Sequence, residues 1–376
     1  MPWYKETIMS QKSEFVRWAE VSESLSDVCL RFGISRKTGY KWLARYHISG
    51  LAGLEERSRR PASSPRRTGE AVERKILEAR EEHPAWGGRK LKRWLEDRGA
   101  KDLPAPSTIT EILRRQGRID PEESRKREPL KRFEYPQPND LWQMDFKGAF
   151  PVELQSCHPL TILDDHSRFS VSLKACGDHK RTTVKRYLRE AFDVYGLPQA
   201  MLMDNGSPWA SGTRGEWTSL SVWLLHLGVD VIRSRPRHPQ TLGKDERFNK
   251  TLSIECIAGR RFTAFDQVQC WFDEWRDVYN YERPHESLGM KTPATRYKVS
   301  PRAFPSSLPP IEYELGDSVR KVAQYGRISF GGKYWKIGRA FEGYPVGIRP
   351  AEVEGRFQVY FCRRKIKEID LNACKE

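Results

Sequence analysis

Residues Ala200-Met201-Leu202-Met203-Asp204-Asn205-Gly206-Ser207-Pro208-Trp209 decide how this chain is read. Four apolar residues run straight into a carboxylate and then into turn formers, the pattern of a short buried β-strand with an acid at its carboxyl end. Working outward, Leu141-Trp142-Gln143-Met144-Asp145-Phe146-Lys147-Gly148 has the same design, with Asp145 in the acidic position. A third acid, Glu246, opens a helical stretch in which Phe248, Leu252 and Cys256 fall on one side and Glu246 with Lys250 on another. One such carboxylate alone is ordinarily just solvated. Three of them on rigid elements can meet in space and hold two hard divalent cations for an in-line phosphoryl displacement.

The flanking residues decide between these readings. Asp204-Asn205-Gly206-Ser207-Pro208 follows its strand, and His238-Pro239-Gln240-Thr241, Gly243-Lys244 and Glu246-Arg247 lead into the helix. Trp142 with Asp145, Leu163-Asp164-Asp165-His166-Ser167-Arg168-Phe169, and Tyr279-Asn280-Tyr281 with Arg283-Pro284-His285 and Ser287-Leu288 complete the set. Taken along the chain they resemble, in the same order, the catalytic core of the DDE transposases and retroviral integrases, over roughly Pro138 to Tyr297. The resemblance implies a ribonuclease-H-like fold, with Asp145, Asp204 and Glu246 as catalytic residues and metal ligands for two Mg²⁺ ions, Mn²⁺ substituting. Asp164 and Asp165 read as turn residues, not ligands. The Asp204–Glu246 interval is longer than in many relatives, with an enlarged 207–218 loop, and Ser253 stands where relatives often carry a basic residue.

At 376 residues the chain exceeds one ordinary core, and several domains are expected. The net charge of +16 is uneven. Lys and Arg dominate residues 1–137 and 301–376, whereas 138–300 is nearly balanced, as suits basic arms on a polyanion around an acidic core. Seven scattered cysteines without a Cys-x-x-Cys pair predict reduced thiols and no zinc site. No apolar run reaches about eighteen residues, so a soluble, unexported, cytoplasmic protein without membrane contact is expected.

Residues 1–49 read as a helix-turn-helix domain. Leu25, Val28, Cys29 and Phe32 make one buried face, Gly33 permits the turn, and Ser35 caps the next helix. Lys37, Lys41 and Arg45 line that helix as candidate DNA contacts, and an ordinary three-helix bundle with a solvated basic face has the same pattern. Residues 50–67 form a basic linker whose Arg59 and Arg60 could follow phosphates or simply be solvated. Residues 68–117 repeat the theme as a second helix-turn-helix. There Thr108 and Glu111 suggest a capping box, and Arg114 and Arg115 are further DNA candidates. A linker, 118–137, leads to the core at 138–298.

Within the core, strands at 142–150, 158–163, 168–175, before Asp204 and at 229–232 alternate with helices at 180–195, 217–227, from Glu246 and at 263–281. A Pro-rich linker, 299–311, precedes residues 312–376, where five glycine-punctuated strands predict a small all-β barrel. It resembles the SH3-like domains of integrases, and Gly331-Gly332 marks a hairpin. Its basic stretch Arg363, Arg364, Lys365 and Lys367 suits DNA, a neighbouring subunit or plain solvent. The fold class expected is therefore multidomain: all-α modules, an α/β ribonuclease-H-like core and an all-β barrel.

By resemblance the chain is expected to be a DNA transposase, a polynucleotidyl transferase with endonuclease activity. It would bind the terminal inverted repeats of a mobile element, cleave the 3′ ends and join them to target DNA. Its partners would be double-stranded DNA and copies of itself, as a dimer or higher paired-end complex at a bacterial nucleoid. Lys250, one turn after Glu246, is a candidate phosphate contact, and a surface lysine reads the same way. The rival expectations are a catalytically idle DNA-binding regulator and a metal-dependent nuclease without strand transfer.

Overall fold

The computed structural model describes residues 8–56, 68–119, 134–209, 217–233 and 243–372. The chain divides into two compact units, residues 1–67 and 68–376. Among the described residues, no helix is long and apolar enough to cross a membrane.

In the first unit, helices α1 (Ile8–Val21), α2 (Leu25–Arg31) and α3 (Arg36–Ser49) enclose Phe15, Val16, Val28, Cys29, Trp42 and Leu54. Ser24 accepts from the Asp27 N–H and Ser35 from the Thr38 N–H, so both later helices begin on a serine cap. Gly33, at φ +63°, makes the turn between them in a conformation that glycine adopts without strain. A 3₁₀ turn at Gly50–Leu54 continues α3 and drops Leu54 into the core. Lys12 fastens it, donating to the Leu54 carbonyl at 3.1 Å with its ammonium 3.8 Å from the Trp42 ring centre.

The second unit opens with α4 (Glu70–Glu82), α5 (Gly88–Asp97) and α6 (Pro106–Arg115), packed around Ile76, Trp86, Leu91, Ile109 and Leu113. The expected capping box is absent. Pro106 occupies the first turn and Ala105 the cap position, so Thr108 lies inside the helix, and Glu111 pairs with Arg114. A proline there needs no N–H partner and already has a helical φ, which sets the start three residues early.

The central sheet contains β1 (Leu141–Phe146), β2 (Phe150–Val152), β3 (Gln155–Asp164), β4 (Ser170–Cys176), β5 (Ala200–Met203) and β6 (Asp230–Arg233). β1, β3 and β4 run antiparallel, and β5 then β6 add in parallel on the other side of β1. Helices α7 (Arg181–Tyr195) and α8 (Ser219–His226) cover one face, while α9 (Gly243–Leu252) and α10 (Phe265–Asp277) cover the other. The period-two pleat explains the division. Leu160 and Ile162 of β3 point toward Leu188 and Phe192, whereas Cys157 and Leu163 point toward Phe248 and Phe272. This is the ribonuclease-H-like α/β core.

The segment read as a Pro-rich linker runs along this core. Ser300 donates to the Leu197 carbonyl at 2.6 Å, and Arg302 reaches the carbonyls of Pro198, Leu227 and Gly228. The all-β C-terminal domain has six strands, not five, in a four-stranded sheet and a separate hairpin: β7 (Ser318–Lys321), β8 (Arg327–Phe330), β9 (Lys333–Lys336), β10 (Pro345–Pro350), β11 (Arg356–Phe361) and β12 (Arg364–Asp370). β12 is missed by its pattern because charges dominate it, and only Ile369 is fully buried. The Gly331-Gly332 hairpin joins β8 and β9 as read. The core of this domain is continuous with that of the α7–α8 face, and Arg363 donates to the Gly228 carbonyl at 2.6 Å.

Candidate active site

Parallel pairing of β1 with β5 places Gln143 beside Leu202. Two residues further along each strand, Asp145 and Asp204 stand at the same level at the carboxyl ends of neighbouring strands. Asp204 is steadied by the Gly206 N–H, which donates to Oδ1 at 2.9 Å. Across the sheet Asp145 faces Thr161 of β3.

Helix α9 lies over this corner. Phe248 and Leu252 anchor it to the core, leaving Glu246, Arg247 and Lys250 exposed. Its Asn249 donates to Asp145 Oδ2 in a long contact of 3.5 Å. The Asp145 carboxyl is pushed up to about 6, first by burial, then by repulsion from Asp204 and, more weakly, Glu246, against a lowering bond from the Phe146 N–H. Asp204 and Glu246 therefore both act on Asp145. Among the described residues, however, no three His, Cys, Asp or Glu side chains converge closely enough to hold a metal ion.

One acidic residue was missed from the sequence. Asp245 is fully buried and accepts from the Thr161 hydroxyl at 3.3 Å. Burial and then Asp145 hold its carboxyl well above the usual range. The signal was present in the helical spacing, since Asp245, Phe248 and Leu252 share one buried stripe.

The Asp164-Asp165 turn is structural, as read. Asp164 accepts from the N–H groups of Asn139 and Ser167 and from the Ser167 hydroxyl. Asp165 accepts from the Tyr135 N–H and the Gln143 amide, both at 2.7 Å, and pairs with Lys244. That last bond ties the turn to the start of α9.

The candidate DNA contacts fall into three sets. Lys37 and Lys41 are exposed on α3, while Arg45 is half-buried, its guanidinium 5.0 Å from the Trp42 ring centre. Arg114 is exposed beside Glu111, and Arg115 is turned to the nearly buried Glu73 at 2.7 Å. Arg59 and Arg60 lie outside the described residues. The α5 helix is also committed elsewhere: Arg98 meets Glu282 at 2.6 Å, and Lys90 lies 4.0 Å from Glu255, which Arg283 grips at 2.9 Å.

Comparison with known proteins agrees with this architecture. Residues 135–239 and 227–293 each match an integrase core domain, and residues 317–376 match the C-terminal domain of IS481 family transposases. Residues 11–62 match a helix-turn-helix domain and 38–113 a homeodomain-like domain. The chain is 28% identical over 275 residues to an uncharacterized 39.2 kDa protein of insertion element IS476 from Xanthomonas euvesicatoria, covering 70% of this chain and 75% of that one. It is 26% identical over 157 residues to the 31.7 kDa protein of insertion element IS407 from Burkholderia multivorans, spanning 42% of this chain and 54% of that one. Among solved structures, a chain of the simian T-cell lymphotropic virus intasome is similar at 16% identity and a TM-score of 0.38, over 80% of this chain and all of that one. These matches support a place for the chain in the DDE transposase and integrase family.

Proposed function

We propose that the protein is a DNA transposase that cleaves the 3′ ends of a mobile element and joins them to target DNA. The observation that carries this reading is the level placement of Asp145 and Asp204 on adjacent strand ends, beneath a helix that carries Glu246. An all-carboxylate donor set suits Mg²⁺, with Mn²⁺ substituting, and the burial and then repulsion that raise Asp145 are what a divalent cation would offset. Asp145, Asp204 and Glu246 would hold two such ions. When bound, the ions supply an activated water or 3′-hydroxyl and neutralise charge on the phosphate under attack.

The remaining work falls to the chain itself. Asp145 would keep the donors in register with β1. Thr161 and Lys244 hold the first turn of α9 against the sheet, so that Glu246 keeps its orientation. Lys250, exposed one turn beyond Glu246, meets the DNA phosphate. Lys37, Lys41 and Arg45 with Arg59, Arg60, Arg114 and Arg115 grip the terminal repeats. No covalent protein–DNA bond is formed.

Incubation with Mg²⁺, a labelled element end and a target plasmid tests the reading. Joined product supports it; cleavage alone would make the protein a nuclease, and binding alone a regulator. Two ends must meet one target, so the working form is a dimer or larger assembly of a bacterial cytoplasmic protein. Mixing Glu246→Gln protein with a Lys37→Ala/Lys41→Ala/Arg45→Ala variant should restore joining that neither shows alone. Failure to do so in co-assembled complexes would confine each subunit to its own end.

A further inference from the structure

The C-terminal domain carries a groove of about 570 Å³ that the catalytic reading does not use, within the range of small-ligand sites. It is lined by Arg320 and Lys321 of β7, Arg327 and Ser329 of β8, Tyr325 in the turn before β8, and Tyr334 of β9. In the β8–β9 ladder Ser329 stands opposite Tyr334, and Arg327 lies two residues before Ser329, so all three share the outer face. Among the described residues, none of the three cationic side chains pairs with a carboxylate, and the one bond that Arg320 makes is to the carbonyl of Val319. Most of the more obvious basic run, by contrast, is engaged: Arg363 binds the core, Lys365 pairs with Glu368, and Lys367 donates to the Lys336 carbonyl, with Arg364 exposed.

The two tyrosines are the telling part. Tyr325 is 62% exposed and Tyr334 79%, although tyrosine gains nothing from facing water. Tyr325 is moreover held at φ +62°, a backbone conformation in which glycine or asparagine would be less strained. The hydrogen bonds of Ile337 and Gly338 to the Gly326 carbonyl keep the turn in place. A bulky ring retained at a strained, exposed position beside unpaired cations points to a surface role.

We propose that this groove binds unpaired DNA, with Tyr325 and Tyr334 stacking on bases and Arg320, Lys321 and Arg327 taking the phosphates. Stacking platforms set in a basic groove are the physical means of holding a single strand, because every base offers a flat π-face once it leaves the duplex. A duplex offers the groove its phosphates but not its stacked bases. The site stands apart from the three carboxylates, so its test does not depend on catalysis.

The test uses the full chain, fluorescein-labelled oligothymidylate and a duplex of equal length, with anisotropy as the readout. The Tyr325→Gly/Tyr334→Thr variant suits a positive φ and a β-strand and is expected to fold. It should bind oligothymidylate about tenfold more weakly while duplex binding stays within about twofold. Tyr325→Phe/Tyr334→Phe should keep the single-strand affinity. Replacing Arg320, Lys321 and Arg327 by Gln should lower the log–log salt slope for oligothymidylate by about two. Unchanged oligothymidylate binding in the Gly/Thr variant, or an equal loss on duplex, overturns the proposal, as does an unchanged salt slope.

Discussion

Asp165, in the turn after β3, and Lys244, in the first turn of α9, form an ion pair of 2.6 Å whose carboxylate is wholly buried. The pair joins the Leu163–Phe169 motif to the helix that carries Glu246. Asp165→Asn leaves the Lys244 ammonium half-satisfied in a buried setting and should cost about 3 kcal/mol in urea unfolding. Adding Lys244→Met should cost less than the sum of the single changes, since the second change removes the stranded charge. Additive losses would show that the two side chains do not cooperate.

Asp145→Asn should abolish cleavage and joining yet make the protein more stable in the absence of divalent cations. The folded Asp145 carboxyl titrates near 6, above its ordinary value of 3.8, so the folded state holds the proton more tightly. The resulting stability is present below pH 3.8 and is lost as pH rises through about 6. Asparagine resembles the protonated form, so the variant should gain on the order of 2 kcal/mol at pH 8 and nothing near pH 3.5. Equal stability at pH 8 would mean that neither burial nor the neighbouring acids penalise the Asp145 carboxylate there.

Lys90 sits between α5 and the core, where burial first, and then Arg283, lowers its ammonium to about 8. Between pH 8 and 10.5 the unfolded chain binds the extra proton, so stability rises with pH across that window. Lys90→Met should therefore be more stable than the parent at pH 7, by about 2 kcal/mol, with the advantage shrinking by pH 10. Denaturant midpoints of both proteins at the two pH values decide it.

His285 is held well below its ordinary range, chiefly by burial and then by Arg283 and Lys90. It stays neutral in the folded chain, while the unfolded chain gains a proton below pH 6.5. Stability should consequently fall as pH drops under 6.5, with a slope of up to about 1.4 kcal/mol per pH unit from this group. His285→Gln should flatten that slope, and parallel curves for the two proteins would exclude the histidine as its source.

What the chain's own letters determined is local. The apolar run ending on Asp204, the strand through 158–163, the serine cap at Ser35 and the positive φ of Gly33 each depend on neighbours within a few residues, and all appear as read. The Thr108–Glu111 box was local too, yet Pro106 overrode it by fixing where α6 starts. The stripe of Phe248 and Leu252 already turned Asp245 inward, and only tertiary structure decided which group would receive it. The hydroxyl that receives Asp245 lies on a strand eighty-four positions away, at Thr161. The pairing of Asp165 with Lys244, the lowered ammonium of Lys90 and the recruitment of β12 belong with it. Burial and charge compensation arise between segments that meet only on folding, and no helical or strand period records them.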